Sequence, residues 1–282
     1  MLGELQAWPG IPLEAHLKAT ARALRVLVWG EWGWRARSSG VPSWSLVLAG
    51  LAHDAGKAWE EYQKRLDDRT PSFWGHEILS SMPLLAMYDA GVRLCIDSSV
   101  LRGLAVACAA VMNHHHGMHD RFVTECFYEP RMLEKEIGRI AGKYGSSKRS
   151  IFKSIPIVLE LVVGLVREED KSVTESLKPL VESINENLIL QASLQGAKLL
   201  WKDASRDKSL AAACTVAAGF LSLTDTIVAG LERNKFDASK VMKRYAGRVL
   251  AEKMGEENAL SKLRELAKMI KPFYTGRLIG NG

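Results

Sequence analysis

The sequence predicts an all-α fold organised as one domain, and three observations carry that expectation. Apolar residues recur at helical spacing in most segments. No run alternates apolar and polar residues for long enough to argue for a sheet. Two segments are apolar on nearly every side, which marks central, buried helices. With 282 residues, 47% hydrophobic and 25% charged, and eight tryptophans, the chain can fill a sizeable core.

The elements follow in order. Residues 12–28 (PLEAHLKATARALRVLV) carry a helical repeat with Pro12 near its start. After the loop EWGWRARSSGVPS, residues 43–54 form a nearly all-apolar helix, and Gly56 is a natural stop beyond it. A short amphipathic piece covers 57–66, and a helix covers 74–90, ended by Gly91. Residues 98–113 (SSVLRGLAVACAAVMN) read as a central helix. The polar region 117–150, with Tyr144-Gly145-Ser146-Ser147-Lys148, is the best candidate for a mobile loop, and a small hairpin near 120–130 is compatible with RFVTECFYEP. Helices are expected to resume at about 151–167, 174–202, 208–233, 238–254 and 256–270. The longest apolar stretch, Leu210 to Gly230, is long enough for a membrane span. Asp225 within it is costly at a bilayer centre, so a buried helix is the better reading.

Composition narrows the setting. The start, MLGELQAWPGIP, lacks the basic and apolar regions of a signal peptide. The four cysteines, Cys95, Cys108, Cys126 and Cys214, are scattered without a CxxC pair, which argues against a zinc ribbon and for a reducing cytoplasmic setting. The net charge is +6. It is concentrated at about 233–282, where 12 Lys/Arg stand against 5 Asp/Glu. Lys240, Lys243, Arg244, Arg248, Lys262, Arg264 and Lys268 belong to this basic helical subregion. Such a surface favours polyanions, and a solvated helix face accounts for it equally well.

Chemistry concentrates in the histidines. Only seven occur, and six lie beside apolar helices: His16, His53, His76, His114, His115 and His116. His53-Asp54 ends the apolar run SWSLVLAGLA. A neutral imidazole binds a transition metal through one nitrogen, and an adjacent carboxylate can bridge two cations. Successive helical residues point about 100° apart, so both side chains reach a metal pair most easily at a helix end. The triple His114-His115-His116 is rare by composition, and before Gly117 it suits a ligand pair at a helix terminus. Asp225, alone in an apolar helix, must be paired, protonated or metal-bound; ligation and a salt bridge to Arg233 or a lysine both answer that need. His16 is the softest member, since a lone helical histidine usually belongs to the core or surface. Lys57, three residues after Asp54, reads as an exposed lysine or as a cation that neutralises a scissile phosphate. No Walker A motif, GxSxG elbow or GxGxxG turn is present.

In this order the motifs resemble the HD superfamily of metal-dependent phosphohydrolases, and more narrowly the CRISPR-associated HD nuclease of type I systems. The resemblance runs over about residues 12–233 through His16, HDxGK at His53–Lys57, Gly75-His76, HHG at His115–Gly117, and Asp225 in its LTDTIVA context. It implies a helical bundle around a dinuclear centre, with the chain 1–282 as a single HD-type domain. Carried over by position, His16, His53, Asp54 and Asp225 would hold one metal. Asp54, His76, His115 and His116 would hold the other, with His114 an extra neighbour and Lys57 assisting at the phosphate. The cofactors implied are two divalent ions, among Mn, Mg, Ni, Co and Fe. The partners implied are single-stranded DNA, a separate CRISPR-associated helicase subunit and an RNA-guided surveillance complex, with no membrane. A nucleotide or cyclic-dinucleotide phosphohydrolase on the same fold is the alternative. A helical interaction module with a structural metal, or none, is the non-enzymatic one.

Overall fold

A computed structural model describes residues 5–29, 38–68, 71–115, 130–185, 188–242, 252 and 254–272. It is dominated by helices: α1 (Leu13–Trp29), α2 (Ser43–Ala52), α3 (Glu60–Gln63), α4 (His76–Arg93), α5 (Ser98–Asn113), α6 (Pro130–Lys143), α7 (Lys148–Glu169), α8 (Lys171–Glu182), α9 (Ile189–Arg206), α10 (Lys208–Glu232), α11 (Ala238–Met242) and α12 (Glu256–Ile270). A single turn of 3₁₀ helix, Ala55–Ala58, follows α2. The only sheet among the described residues is a hairpin of β1 (Gln6–Trp8) and β2 (Ile11–Pro12), paired antiparallel with Trp8 opposite Ile11. Its strands are too short to leave an alternating pattern in the sequence.

Helices α2, α4 and α5 make the centre, as their all-round apolar composition requires. Ser45 to Ala52 of α2 and Gly103 to Asn113 of α5 are buried throughout. Helix α4 packs on α5 and α9, α1 on α2, and α10 on α5 and α1. Polar residues set the starts: Asp97, Asp170 and Asp207 each accept a backbone N–H of the first turn of α5, α8 and α10. Ser147 does the same for α7.

Three expected boundaries move. Helix α4 runs through Gly91 to Arg93; Gly91 is not its stop but makes room for packing, since a Cβ there would meet Leu101 Cδ2 at 2.7 Å. The expected helix 174–202 is two, α8 and α9, broken after Ser183; apolar spacing on both sides hides the break. The region expected as a mobile loop contains α6, which buries Leu133, Glu136, Ile137 and Ile140 on one face. The hairpin expected near 120–130 lies outside the described residues.

Tyr144, expected in that loop, is buried in an aromatic cluster with Trp59 and Tyr62. The cluster holds the segment before α4. Trp74 N–H donates to the Tyr144 hydroxyl (2.9 Å), which donates to Ser72 O (2.8 Å), and the Tyr62 hydroxyl donates to Trp74 O (2.7 Å). Gly75, at φ +84°, then turns the chain into His76, the first residue of α4.

Gly56 is not a helix stop of the left-handed kind. A Cβ there would meet His76 O at 2.3 Å and Ser80 N at 2.7 Å, so the 3₁₀ turn lies against the first turn of α4. Gly56→Ala should therefore push that turn off α4 and cost about 1–3 kcal/mol, measured by urea unfolding.

Candidate metal centre

Four helix termini and two helix interiors converge. His53 ends α2, and Asp54 leads into the 3₁₀ turn. His76 opens α4, and His114 ends α5 with His115 just beyond. His16 comes from α1 and Asp225 from α10. All are buried except His115, which is half-buried. Asp225 and Glu232 lie seven residues apart, two turns along one face of α10. They address the two ends of one ring: Asp225 Oδ1 is 3.3 Å from His16 Nε2, and Glu232 Oε2 accepts from His16 Nδ1 at 2.8 Å.

Backbone carbonyls settle the tautomers of three histidines. His53 Nδ1 donates to Gly50 O (2.9 Å), His76 Nδ1 to Phe73 O, and His114 Nδ1 to Val111 O (2.7 Å). A carbonyl only accepts, so each neutral ring keeps its proton on Nδ1 and presents a bare Nε2. Those Nε2 atoms face other acceptors. His53 Nε2 is 3.2 Å from His16 Nε2 and 3.4 Å from Asp225 Oδ1. His76 Nε2 is 3.0 Å from His115 Nε2 and 2.7 Å from Asp54 Oδ1. Lone pairs meeting at such distances need a proton or a metal between them.

Asp54 divides between two groups. Its Oδ2 faces His16 (3.2 Å) and His53 (3.7 Å), whereas its Oδ1 faces His76. Two donor sets result, His16–His53–Asp54–Asp225 and Asp54–His76–His114–His115, each able to hold a metal ion with its ligand atoms within 4.8 Å of one another. The donors fit such an ion. Asp54 Oδ1 and His114 Nε2 are buried without a hydrogen-bond partner. With His76 neutral its proton is on Nδ1, so the short approach of Nε2 to Asp54 Oδ1 needs a second proton on that ring or a metal ion between the two atoms. Buried polar atoms left this way cost free energy that coordination removes.

Charge distribution agrees. Burial raises the Asp54 carboxyl, but Lys57, His53 and His76 outweigh it and hold Asp54 well below the usual range. Burial likewise opposes ionisation of Asp225, and the adjacent His16 and His53 rings overcome it, holding the carboxyl well below its usual range. Burial, then the neighbouring His115 and His53, hold His114 well down; burial and His76 bring His115 to about 4. Burial also works against protonated His16 and His76, yet Glu232 chiefly raises the first and Asp54 the second. In the metal-free protein, protons on those two rings thus stand in for cations.

Lys57 Nζ donates to Asp54 Oδ2 (2.5 Å) and lies 4.7 Å and 4.9 Å from the ring centroids of Trp8 and Phe73. It is buried, so it is not the exposed lysine of the first alternative. Arg233 does not pair with Asp225; its Nε donates to Ala229 O and its guanidinium stacks on Trp8. Of the expected ligands, His16, His53, Asp54, His76, His115 and Asp225 come together. His116 lies outside the described residues, and His114, read as the extra neighbour, stands in the second set. Glu232 was missed, although its spacing from Asp225 was available as a signal. No family model, curated protein or solved structure matches this chain.

Two expectations follow. Mn²⁺ at about 100 times its dissociation constant should raise the unfolding free energy by about 2.7 kcal/mol, and Asp54→Ala should remove most of that gain in paired melting curves. In metal-free protein His115 sits at about 4 when folded against 6.5 ordinarily, so the unfolded chain binds the proton first as pH falls. Its contribution is present above the ordinary value and lost as pH drops toward the folded one. His115→Gln should flatten that part of the stability profile, measured by urea unfolding across the window.

Proposed function

We propose that this protein is an HD-type metal-dependent phosphodiesterase, a nuclease that cuts single-stranded DNA in CRISPR interference. In this reading it works in the cytoplasm beside a separate helicase and an RNA-guided surveillance complex. The observation that carries the chemistry is the division of Asp54, whose two oxygens face two separate donor sets. His16, His53, Asp54 and Asp225 would hold one divalent cation and Asp54, His76, His114 and His115 the other, with Mn, Mg, Ni, Co and Fe all suited to nitrogen and carboxylate donors. When bound, such a pair supplies Lewis acidity at a phosphoryl group and lowers the pKa of water toward neutrality.

The chain's own residues prepare that chemistry. Lys57 keeps Asp54 anionic and fixes its orientation from within the Trp8–Phe73 wall. Gly50, Phe73 and Val111 hold three imidazoles in the ligating tautomer. The deep burial of His16, His53 and Asp54 excludes bulk water from one side, so a phosphodiester would enter beside half-buried His115. The basic C-terminal subregion supports a polyanionic substrate: Arg264, Lys268 and Lys271 are exposed on or just after α12.

Purified protein with labelled single-stranded DNA and Mn²⁺, Mg²⁺, Ni²⁺ or Co²⁺ tests the reading directly. Cleavage should occur with at least one metal. Asp54→Ala should lower its rate by about 10³-fold or more, since a metal pair contributes several kcal/mol to the transition state. Absence of cleavage with every metal, with and without the helicase, would refute the nuclease. Hydrolysis confined to dNTPs or cyclic dinucleotides would replace it with the small-molecule alternative.

A further inference from the structure

The two donor sets differ in charge, enclosure and support. We infer that they bind metal with unequal affinity, filling in order, and that Glu232 is the positioning residue that makes the His16 set the tight one. The inference rests on the dinuclear reading above and deepens it.

Asp54 is common to both sets and cancels in the comparison. What remains for the first set is Asp225, a second carboxylate ligand, and Glu232 behind His16. What remains for the second is imidazoles alone, with Glu77 Oε2 3.4 Å from His76 Nδ1, a proton already given to Phe73 O. The first set therefore brings more negative charge to a divalent ion. Its four donors are all buried, whereas His115 of the second is half-buried, so water screens the attraction between a cation and the second set more strongly.

Glu232 differs from the other groups behind the histidines. His53, His76 and His114 give Nδ1–H to neutral carbonyls, but His16 gives it to a carboxylate. An anion at that position raises the basicity of the opposite nitrogen and stabilises the ring's positive polarisation when Nε2 ligates. The Glu232 side chain is only 6% exposed, so water screens this effect little. Lys57 opposes it, because its ammonium lies on the same Asp54 oxygen that faces the first set. Asp225 and Glu232 together outnumber that one positive charge. A cation in the first set then draws on the shared carboxylate and repels a second cation nearby, which widens the gap between the two steps.

The test is calorimetric titration of Mn²⁺ into full-length protein stripped of metal by chelator, with bound metal counted after gel filtration. Wild type should show two steps of different affinity. Glu232→Gln keeps an acceptor oxygen for His16 Nδ1 but not the charge; it should weaken the tight step by about 10–100-fold and leave the weak step in place. His115→Ala should abolish the weak step alone, and Glu77→Gln should leave the tight step unchanged. Two equal steps, loss of the tight step in His115→Ala, or an unaltered tight step in Glu232→Gln would overturn the ranking while leaving a dinuclear nuclease intact. No binding by wild type would overturn the dinuclear centre itself. Absence of nuclease activity alongside two unequal steps would uphold the ranking and count only against the proposed function.

Discussion

Everything around this site depends on keeping one carboxylate, Asp54, ionised in the interior. A buried anion is costly unless it is paired and hydrogen-bonded. Lys57 meets one oxygen and His76 approaches the other, while His16 and His53 close over the same side as Lys57. These partners come from α1, α2, the 3₁₀ turn and α4, so the carboxylate ties together segments far apart in the chain. The close packing of Gly56 against His76 and Ser80 follows from the same demand. Asp54 can present opposite oxygens to His16 and His76 only if the turn that carries it lies directly on the start of α4.

The support behind the site is built from different chemistry than the site itself. Trp59, Tyr62 and Tyr144 form edge-to-face contacts, and two of their hydroxyls hold the segment from Ser72 to Trp74. That segment supplies Phe73, whose carbonyl fixes the His76 tautomer and whose ring lies beside Lys57. A rigid apolar cluster thus sets both the direction of a ligand and the environment of the cation on Asp54. Precise ligand geometry needs such a supporting layer.

Much of this was legible in the sequence, for identifiable reasons. The all-α class and the buried α2, α5 and α10 follow from apolar spacing, and residues 98–113 and 256–270 keep their expected bounds. Adjacent polar residues at the ends of apolar helices also pointed to His53, Asp54, His76 and His115. The register of the histidine run was not legible, because whether His114 turns inward depends on its Nδ1 meeting Val111 O. Glu232 escaped for another reason: a glutamate at a helix end reads as solvated, and only tertiary packing brings it under His16. Tyr144 was misread because its neighbours Gly145, Ser146 and Ser147 carry turn chemistry. The following helix begins so soon that the turn is a tight corner packed on the core.

Helix α10 draws these strands together. Among the described residues it is the one helix long and apolar enough to cross a membrane, which is why its composition invites that reading. Its position gives another cause. Ala213, Cys214, Ala217 and Leu221 face the main core, while Leu223, Ile227 and Val228 belong to a second cluster with Ala19, Ala23 and Leu27 of α1 and the buried face of α12. A helix between two apolar clusters needs apolar residues on both sides, whatever solvent lies beyond. The same helix carries Asp225 and Glu232 to opposite ends of the His16 ring. α1 and α10 are therefore clamped from behind by the C-terminal helices while they present one histidine and two carboxylates in front. The C-terminal helices pack behind α1 and α10, the two helices that carry His16 and Asp225, although none of their described residues belongs to the donor set.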